Sequence, residues 1–207
     1  HLLDAGASVS DVDAALETFG MPMGPLRLLD EIGFDVARHA SREMTAELGE
    51  RLEPGTMMDR MINDGRLGRK NGRGFYRYQD GKSQGVDPAT EALLSRGAPN
   101  PEGAARPGAR LSEEEIRKRC LYLMVNEAGH ALEEQVVDGA DEVDLAMVMG
   151  TGFPPFRGGL LRWADGEGIS EIRAALVDYA ARYGHRFNPA PLLMRMADQN
   201  QTFTDIT

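Results

Sequence analysis

The sequence predicts an all-α protein that contains the same helical unit twice. Apolar residues recur at the three- and four-residue spacing of amphipathic helices, and runs typical of β-strands are nearly absent. Two long stretches also resemble one another at one fixed offset, which indicates a duplicated unit. With 207 residues, of which 42% are hydrophobic, the chain is long enough to bury a core as one domain or as two small ones.

The repeat aligns VDAALETFGMPMGPLRLLDEIG, which starts at Val12, with VDLAMVMGTGFPPFRGGLLRWADGEG, which starts at Val143. The second copy contains one inserted residue, after which Gly20 and Gly152 lie 132 positions apart. The matched pairs are Val12-Asp13 with Val143-Asp144, Ala15 with Ala146, Gly20 with Gly152, Pro22 with Pro154, and Leu28-Leu29 with Leu160-Leu161. Each copy therefore runs a short helix into a Gly-x-Pro turn and then starts a second helix.

The repeat divides the chain into three predicted regions. The first repeat covers residues 1–79, a linker rich in Gly, Pro, Ser and Ala covers 80–111 with one helical turn at Thr90–Leu94, and the second repeat covers 112–207. The sequence HALEE from His130, at the end of a long predicted helix, resembles HLLDA from His1. We therefore expect the first repeat to begin in the last turns of a helix whose body is absent, in a fragment of a longer protein.

Capping residues and apolar spacing predict the helices of the first repeat. Ser10 is predicted to cap a helix that ends at Gly20, and Pro25 lies in the first turn of the next one. Asp35 is predicted to cap a third helix, with an apolar face of Val36, Ala40, Met44 and Leu48. A methionine-rich helix that stops near Gly65 contains Met57, Met58, Met61 and Ile62.

The second repeat is predicted to start with a long amphipathic helix, for which Ser112 and Glu115 form a capping box. Its apolar stripe consists of Ile116, Cys120, Leu123, Met124, Ala128 and Leu132. Ser170 is predicted to cap a helix that Gly184 ends, and Pro191 opens a last one.

Composition excludes several functions. The net charge of −10 repels nucleic acid and anionic lipid, and no run reaches the roughly 18 apolar residues of a membrane span. Cys120 is the single cysteine, which excludes an internal disulfide and a cysteine-based zinc site and favours a cytoplasmic protein. The four histidines form no metal-ligand pair, so we predict no metal site.

Two segments have both a functional and a structural interpretation. GRLGRKNGRGFYRY, residues 65–78, could cradle a phosphate with its backbone amides and basic side chains, or form a solvated turn closed by a short aromatic strand. GFPPFRGG, residues 152–159, could form the rigid apolar wall of a pocket for an elongated apolar ligand, or only a structural corner. Cys120, on an apolar helix face, is predicted to be an inert buried thiol.

At these residues the chain resembles the C-terminal region of the 3-hydroxyacyl-CoA dehydrogenase family. FGMPMGPLRLLDEIGFD, GRLGRKNGRGFYRY and GTGFPPFRGGLLRWAD are similar, in order, to three signatures of that family. The branch that they resemble most is the fatty acid oxidation complex alpha subunit, which joins enoyl-CoA hydratase to the dehydrogenase. The resemblance implies two tandem helical domains of the 6-phosphogluconate dehydrogenase C-terminal type, packed as a pseudo-two-fold pair.

The resemblance also implies which residues contact substrate. Met21, Pro22, Met23 and Gly24 match a turn that the family places beside the acyl cleft, and Met149 stands at a substrate-linked position that is often aromatic. The family binds NAD in a Rossmann domain. Its catalytic groups are a His–Glu pair, which abstracts the proton of the 3-hydroxyl, and an Asn near the acyl thioester, on the long helix of the first copy. In the second copy Lys118 occupies the place of this Asn. Because neither these groups nor a Gly-x-Gly-x-x-Gly unit occurs here, we assign no catalytic, cofactor-binding or metal-binding residue.

The function that the resemblance implies is the substrate-side and assembly portion of an NAD-dependent 3-hydroxyacyl-CoA dehydrogenase of fatty acid β-oxidation, inactive by itself. The implied partners are an acyl-CoA substrate, Rossmann and hydratase domains of the same polypeptide, and a thiolase subunit. Two alternatives stay open: a stand-alone helical interaction module, and a short-chain 3-hydroxyacyl-CoA dehydrogenase without a fused hydratase.

Overall fold

The computed structural model describes residues 1–52, 55–96 and 111–206. Within these ranges the chain is mainly α-helical, and its strands form a single two-stranded sheet, so the predicted all-α class is confirmed. The helices are α1 (Val9–Phe19), α2 (Pro25–Ile32), α3 (Phe34–Leu48), α4 (Met57–Asn63), α5 (Pro88–Arg96), α6 (Glu113–Glu133), α7 (Ala140–Ala146), α8 (Leu160–Glu167), α9 (Ile169–Tyr183) and α10 (Pro191–Gln199). Strands β1 (Tyr76–Gln79) and β2 (Lys82–Val86) pair antiparallel, as a hairpin.

The chain forms two compact units. Unit 1 comprises residues 1–18 and 23–116, and unit 2 comprises residues 19–22 and 117–207. Each unit has its own buried apolar residues, among them Phe34 and Phe75 in unit 1 and Phe153 and Leu176 in unit 2. The turn that follows α1 therefore contributes to the core of unit 2. The pseudo-two-fold packing of the repeats stays a prediction.

The duplication is visible in the helices themselves. Helices α2 and α8 both have eight residues, and α3 and α9 both have fifteen. In each pair the second helix follows the first after one glycine, Gly33 or Gly168, both with φ of 95°. Such a φ is strained for residues with a Cβ, so glycine lets one helix turn directly into the next.

In each repeat an aspartate on the helix before the Gly-x-Pro turn binds the start of the helix after it, from α1 to α2 and from α7 to α8. Asp13 accepts hydrogen bonds from the Leu26 and Arg27 amides of α2, at 2.8 and 3.1 Å. Asp144 likewise accepts from the Leu161 and Arg162 amides of α8, at 2.6 and 3.1 Å. These carboxylates satisfy free amides at the positive end of a helix dipole.

A second aspartate in each repeat binds a segment far along the chain. Asp30 of α2 accepts from the Phe75 and Tyr76 amides, both at 2.9 Å, which fixes β1 against the helix. In the second repeat, Asp165 of α8 accepts from the Phe203 and Thr204 amides at 2.7 and 3.1 Å. Each repeat therefore has its own pair of anchoring aspartates, at equivalent positions.

The structure corrects one part of the predicted alignment. The predicted match of Leu28-Leu29 with Leu160-Leu161 is wrong, because the anchors make Pro25-Leu26 the counterpart of Leu160-Leu161. The second copy contains three further residues before this helix, where Pro155–Arg157 form a 3₁₀ turn. From Gly24 and Gly159 to Gly49 and Gly184 the repeats are in register at an offset of 135 residues. The inserted residue seen in the sequence lies where α7 continues into a π-helical turn, Met147–Thr151.

The equivalence of HLLDA and HALEE is confirmed by their hydrogen bonds. In residues 1–7 the Ala5, Gly6 and Ala7 amides donate to the carbonyls of residues 1, 3 and 2. At the end of α6 the same pattern joins the amides of residues 134, 135 and 136 to the carbonyls of 130, 132 and 131. Both stretches thus adopt the Schellman geometry of a helix C-terminus, with Gly6 and Gln135 at positive φ.

Several predicted caps are corrected. Ser8 rather than Ser10 caps α1, since its hydroxyl accepts from the Asp11 amide at 3.1 Å. Asp35 and Ser170 lie inside their helices, because Gly33 and Gly168 occupy the cap positions. Ser112 caps α6 as predicted, accepting from the Glu115 amide at 3.1 Å.

Two apolar faces predicted to lie in the core are more open than expected. On α3, Val36, Met44 and Leu48 are exposed, and Phe34 is the buried residue of that helix. On α6, Leu123 and Met124 are only half-buried, while Leu121, Tyr122 and Val125 are buried. Periodicity predicted both helices correctly, but it predicted the buried side of α3 incorrectly and that of α6 only in part, since Ile116 and Ala128 are buried as predicted.

The predicted linker contains regular structure in its first part. Strand β2 and helix α5 lie within residues 80–96, and α5 is longer than the single turn predicted at Thr90–Leu94. Asp87 binds the start of α5 through the Ala89 amide at 3.0 Å, and Pro88 occupies its first position. The rest of the predicted linker up to residue 110 lies outside the described residues.

Candidate functional site

The two Gly-x-Pro turns pack against one another inside unit 2. A methyl group on Gly20 would lie 2.8 Å from Phe156 Cζ and 2.9 Å from Pro154 Cγ, while one on Gly152 would lie 2.8 Å from Pro22 Cγ. These short contacts, together with φ values of 119° at Gly20 and 71° at Gly152, favour glycine at both places. The turns of the two copies are thus reciprocal neighbours.

Arg157 fixes this arrangement from the side of the second turn. Its guanidinium lies 3.9 Å from the centroid of the Phe19 ring, and its Nε donates to the Phe19 carbonyl at 3.0 Å. Phe19 also makes edge contacts with Phe153 and Trp163, at centroid distances of 5.5 and 5.4 Å. These contacts support the structural interpretation of GFPPFRGG, although the Phe156 ring itself is 76% exposed.

The predicted substrate residues differ in their accessibility. Pro22 is exposed, Met21 and Met23 are half-buried, and Gly24 is buried. Met149 lies in the π-helical turn with 78% of its side chain exposed. Met21, Pro22, Met23 and Met149 therefore have surface to offer a ligand, and their role in substrate contact stays a prediction.

Gly24 has a structural task that the sequence did not reveal. A methyl group at Gly24 would overlap the Asp13 carboxylate, which lies directly against the backbone while it caps α2. The Gly24 amide donates to Glu17 Oε1 at 3.1 Å. The absence of a side chain at Gly24 is therefore explained by its contact with Asp13.

An apolar groove of about 460 Å³ runs along α6 in unit 2. Its walls come from α6, from α7 and the turn after it, and from the start of α8, and include Cys120, Leu123, Met124, Val143, Met147 and Leu160. Burial raises the pKa of the Cys120 thiol to about 11. The thiol is therefore protonated at neutral pH, as an inert cysteine requires, but Cys120 is half-buried and not fully buried as predicted.

The basic glycine-rich loop is neutralised by acidic side chains. Four of its five basic residues pair with carboxylates: Arg66 with Asp87 at 2.7 Å, Arg69 with Glu31 at 2.7 Å, Lys70 with Asp35, and Arg73 with Asp64 at 3.6 Å. Arg66 is fully buried and also donates to the Gly74 carbonyl at 3.0 Å, so the loop is not merely a solvated turn. A phosphate would have to displace these partners, and the geometry favours a structural role.

Two tyrosines of β1 donate hydrogen bonds to the anchoring aspartates of unit 1. The Tyr76 hydroxyl donates to Asp13 Oδ2 at 2.6 Å, and the Tyr78 hydroxyl donates to Asp30 Oδ2 at 3.1 Å. Burial raises the pKa of both carboxyls and of both phenols. Both phenols therefore remain protonated donors at neutral pH, and the network serves to hold β1 on α1 and α2.

The described residues form neither a nucleotide-binding sheet nor a metal cluster. Their sheet is a two-stranded antiparallel hairpin, so they lack the parallel strand–helix–strand unit that binds NAD, and the residues present do not fit that cofactor. Among the same residues no three His, Cys, Asp or Glu side chains are placed to hold a metal ion. No described helix combines the length and apolar character needed to cross a membrane.

Comparison with known proteins identifies the family. Residues 1–78 and 116–204 match the family described as "3-hydroxyacyl-CoA dehydrogenase, C-terminal domain". The match covers both repeats. The chain belongs to this family, as its resemblance predicted.

Two solved structures share its fold. The dehydrogenase part of multifunctional enzyme 1 from C. elegans is 26% identical, with a TM-score of 0.67, over 92% of this chain and 42% of that one. The 3-hydroxybutyryl-CoA dehydrogenase from Escherichia coli K12 is 22% identical, with a TM-score of 0.70, over 93% of this chain and 55% of that one. The chain thus spans about half the length of the structures that it matches.

The anchoring aspartates are the important residues that sequence reasoning missed. The signal was present, because Val12-Asp13 and Val143-Asp144 head the aligned copies. It was interpreted as a repeat marker and not as a helix cap, since each acceptor lies 13 or more residues before the amides that it binds. Capping rules that look only at adjacent residues cannot detect such a contact.

Proposed function

We propose that this chain is the C-terminal substrate-side and assembly portion of an NAD-dependent 3-hydroxyacyl-CoA dehydrogenase of fatty acid β-oxidation. The intact enzyme oxidises a 3-hydroxyacyl-CoA to the 3-oxoacyl-CoA and transfers the hydride to NAD. The observation that supports this most is the 26% identity over 92% of the chain with the dehydrogenase part of a multifunctional enzyme. The family match over both repeats supports the same reaction class.

In this proposal NAD is held by an N-terminal Rossmann domain of the same polypeptide. The two matched structures are about twice as long as this chain, which leaves room for such a domain. The chain itself contributes surface near the acyl group, from Met21, Pro22, Met23 and Met149. Thioether and proline side chains provide an apolar lining without a hydrogen-bonding group, which suits an alkyl chain. Catalytic residues are assigned to the part outside this chain.

The proposal includes a fused enoyl-CoA hydratase further upstream and a thiolase subunit as a partner. The matched C. elegans structure supports this part of the proposal, because it is described as the dehydrogenase part of a multifunctional enzyme. We also place the protein in the cytoplasm, on the basis of its acidic composition and single cysteine. A short-chain dehydrogenase without a fused hydratase remains the alternative enzyme, favoured by the likeness to a 3-hydroxybutyryl-CoA dehydrogenase fold.

A second candidate function is a stand-alone helical interaction module. It is favoured by the observation that the described residues offer apolar surfaces but no catalytic arrangement. In that case the family's reaction is absent from the whole gene product.

Activity measurements on two proteins distinguish these functions. We expect the full-length gene product to form NADH from 3-hydroxyacyl-CoA, and the 207-residue chain to form none above background. NADH formation by the chain alone would contradict the division of labour proposed here. An inactive but folded full-length product would favour the interaction module. Two further measurements on the full-length product separate the enzyme alternatives. These are its dehydrogenase activity on substrates of different acyl length and its enoyl-CoA hydratase activity, which a short-chain dehydrogenase without a fused hydratase would lack.

A further inference from the structure

A pocket of about 230 Å³ lies in unit 2 between α7, α8 and the 3₁₀ turn that follows α10. It is lined by Asp144 and Asp165, the two anchoring aspartates of the second repeat, and by the buried apolar side chains of Leu161 and Phe203. We call it the aspartate pocket. Its volume exceeds the roughly 150 Å³ of a cavity that holds benzene and lies below the roughly 300 Å³ at which small-molecule sites begin. The pocket therefore has the size for a single aromatic side chain.

The equivalent place in unit 1 is filled by tyrosine. The Tyr76 hydroxyl donates to Asp13 Oδ2 at 2.6 Å, the same oxygen that accepts from the Arg27 amide. Asp13 and Asp30 are only 3% and 0% exposed, whereas their counterparts in the aspartate pocket are half-buried. Unit 1 thus shows which group completes such a pair of anchors, a phenol whose hydroxyl meets the carboxylate and whose ring covers it.

The second repeat has threonine where unit 1 has this tyrosine. Thr204 is the counterpart of Tyr76, because the amide of each binds the second anchoring aspartate of its repeat. The Thr204 hydroxyl donates to Asp165 Oδ2 at 2.8 Å, which corresponds to the bond from Tyr78 to Asp30 in unit 1. The second repeat therefore replaces one of the two tyrosine contacts of unit 1, the one on the second anchor.

The other contact, on the first anchor, has no replacement. Asp144 accepts from the Leu161 and Arg162 amides, and in the part of the chain that the structure describes no side chain donates a hydrogen bond to it. A carboxylate has about four lone-pair sites, so Asp144 keeps the capacity to accept from a further donor. The missing donor is the one that Tyr76 supplies to Asp13.

The other lining groups favour a neutral aromatic donor. The Arg162 guanidinium lines the pocket and donates to the Thr204 hydroxyl at 3.1 Å, so a positive charge is already present. This charge disfavours a second cation beside it. Leu161 and Phe203 offer apolar contact to a ring, which an aliphatic hydroxyl would not use.

We propose that the aspartate pocket binds the side chain of a tyrosine from another polypeptide, with the tyrosine hydroxyl donating to Asp144 Oδ2 as Tyr76 donates to Asp13. A polypeptide source is favoured because the group in the equivalent pocket of unit 1 is a protein side chain, and because the volume is small for a free ligand. The partner is held through one buried tyrosine, a common anchor of protein interfaces. This inference is independent of the dehydrogenase reaction proposed above.

Backbone amide shifts in NMR spectra of the 207-residue chain test the proposal. We titrate the peptide acetyl-Gly-Tyr-Gly-amide and expect saturable shifts of the Leu161 and Arg162 amides. The matched peptide acetyl-Gly-Phe-Gly-amide lacks the hydroxyl that meets the carboxylate, so it is expected to bind about tenfold more weakly or worse. The Leu26 and Arg27 amides are the internal control and are expected to stay unchanged, because Tyr76 already occupies the equivalent place.

Two pairs of variants sharpen the test. Asp144→Asn keeps an acceptor for the start of α8 but removes the charge, and we expect the affinity for the tyrosine peptide to fall about tenfold. Glu142→Gln removes the same charge from an exposed residue of the same helix, and its affinity is expected to stay within about twofold of the parent. In unit 1, Tyr76→Ala opens the equivalent place, and the peptide is then expected to shift the Leu26 and Arg27 amides as well.

Several outcomes would overturn the proposal. These are the absence of saturable shifts at Leu161 and Arg162, equal affinity for the tyrosine and phenylalanine peptides, and an equal effect of Asp144→Asn and Glu142→Gln. The two peptides on the parent chain decide the question even if a variant fails to fold. Binding of p-cresol as tight as that of the tyrosine peptide would show that the pocket takes a free phenol, which would refute the polypeptide partner.

Discussion

At the scale of single residues, four carboxylates determine how each repeat is assembled. Asp13 and Asp144 each bind two consecutive amides at a helix start, while Asp30 and Asp165 each bind two consecutive amides of a distant segment. Carboxylates suit this task because each offers two oxygens that accept hydrogen bonds and a charge that is stabilised near helix N-termini. Side chains beside such an anchor must leave space for it.

Gly24→Ala tests that requirement. The added methyl group would overlap Asp13, so we expect the free energy of unfolding to fall by about 2 kcal/mol. The matched control is Gly166→Ala in α8, where a methyl group meets no atom within 4 Å; that variant is expected to equal the parent or to gain up to about 1 kcal/mol. Urea unfolding measures both, and equal stabilities for the two variants would show that the contact with Asp13 is unimportant.

Cys120 provides a pH-dependent prediction. Burial raises its pKa from 9.0 to about 11, so at pH 8 the folded protein holds about a hundredfold less thiolate than the unfolded chain. We expect alkylation by iodoacetamide to be slow at pH 8 and to accelerate as pH rises toward 11. The same protein in guanidinium chloride is the control, and equal rates in the two conditions would contradict the burial of the thiol.

At the scale of helices, sequence patterns predicted where elements lie better than which side they bury. The 3.6-residue period located α3 and α6, because apolar spacing is a property of the helix itself. The period could not reveal that the α3 row of Val36, Met44 and Leu48 is exposed, since exposure depends on a neighbour. The caps of α3 and α9 were misassigned to Asp35 and Ser170 because Gly33 and Gly168, at positive φ, begin these helices without a side-chain acceptor.

Helix α8 tests the long-range cap. Asp144→Ala removes the acceptor for the Leu161 and Arg162 amides, and we expect a loss of about 1–2 kcal/mol in the free energy of unfolding. Asp141→Ala is the matched control, because Asp141 is exposed and lies on α7 as Asp144 does; this variant is expected to lose less than about 0.5 kcal/mol. Trp163 fluorescence in urea follows unit 2, where both residues lie. A control as unstable as the Asp144 variant would refute the cap.

At the scale of the whole molecule, the repeat boundary in the sequence does not coincide with the boundary of the compact units. Residues 19–22 follow the first helix of the first repeat but belong to unit 2. Within unit 2 the Phe19 ring is 4% exposed and touches Phe153, Trp163 and Arg157. A pattern of repeats identifies copies along the chain, and it cannot reveal which copy completes the core of the other.

Expression of residues 111–207 alone tests this consequence. The excised segment retains the second repeat but lacks Phe19, so the Trp163 ring loses a face-to-edge partner and gains water. We expect its tryptophan emission to lie at longer wavelength than in the whole chain, with reduced near-ultraviolet dichroism. A longer segment that restores residues 9–22 through a flexible linker is the control. Identical spectra for the excised segment and the whole chain would contradict the expectation.

The family and the fold class were predictable from the sequence, whereas the substrate contacts remain predictions that the geometry does not test. Three signatures in order and a duplication led to the family, because they fix helix starts and turns that cannot vary freely. The candidate substrate residues Met21, Pro22, Met23 and Met149 were assigned through the resemblance, and no local physical signal distinguishes an apolar side chain that binds a ligand from one that is merely exposed. That distinction requires the partner surface.

The anchoring aspartates are spaced differently in the two repeats. Asp13 and Asp30 lie 17 residues apart and Asp144 and Asp165 lie 21 apart, with the extra residues in the π-helical turn and the Pro155–Arg157 turn. Between two fixed attachment points the second copy has thus lengthened by four residues, about one helical turn, while α2 and α8 have the same length. The extra residues therefore give the second copy a longer connection between its two anchored helices, and two side chains of this connection, Met149 and Phe156, are exposed.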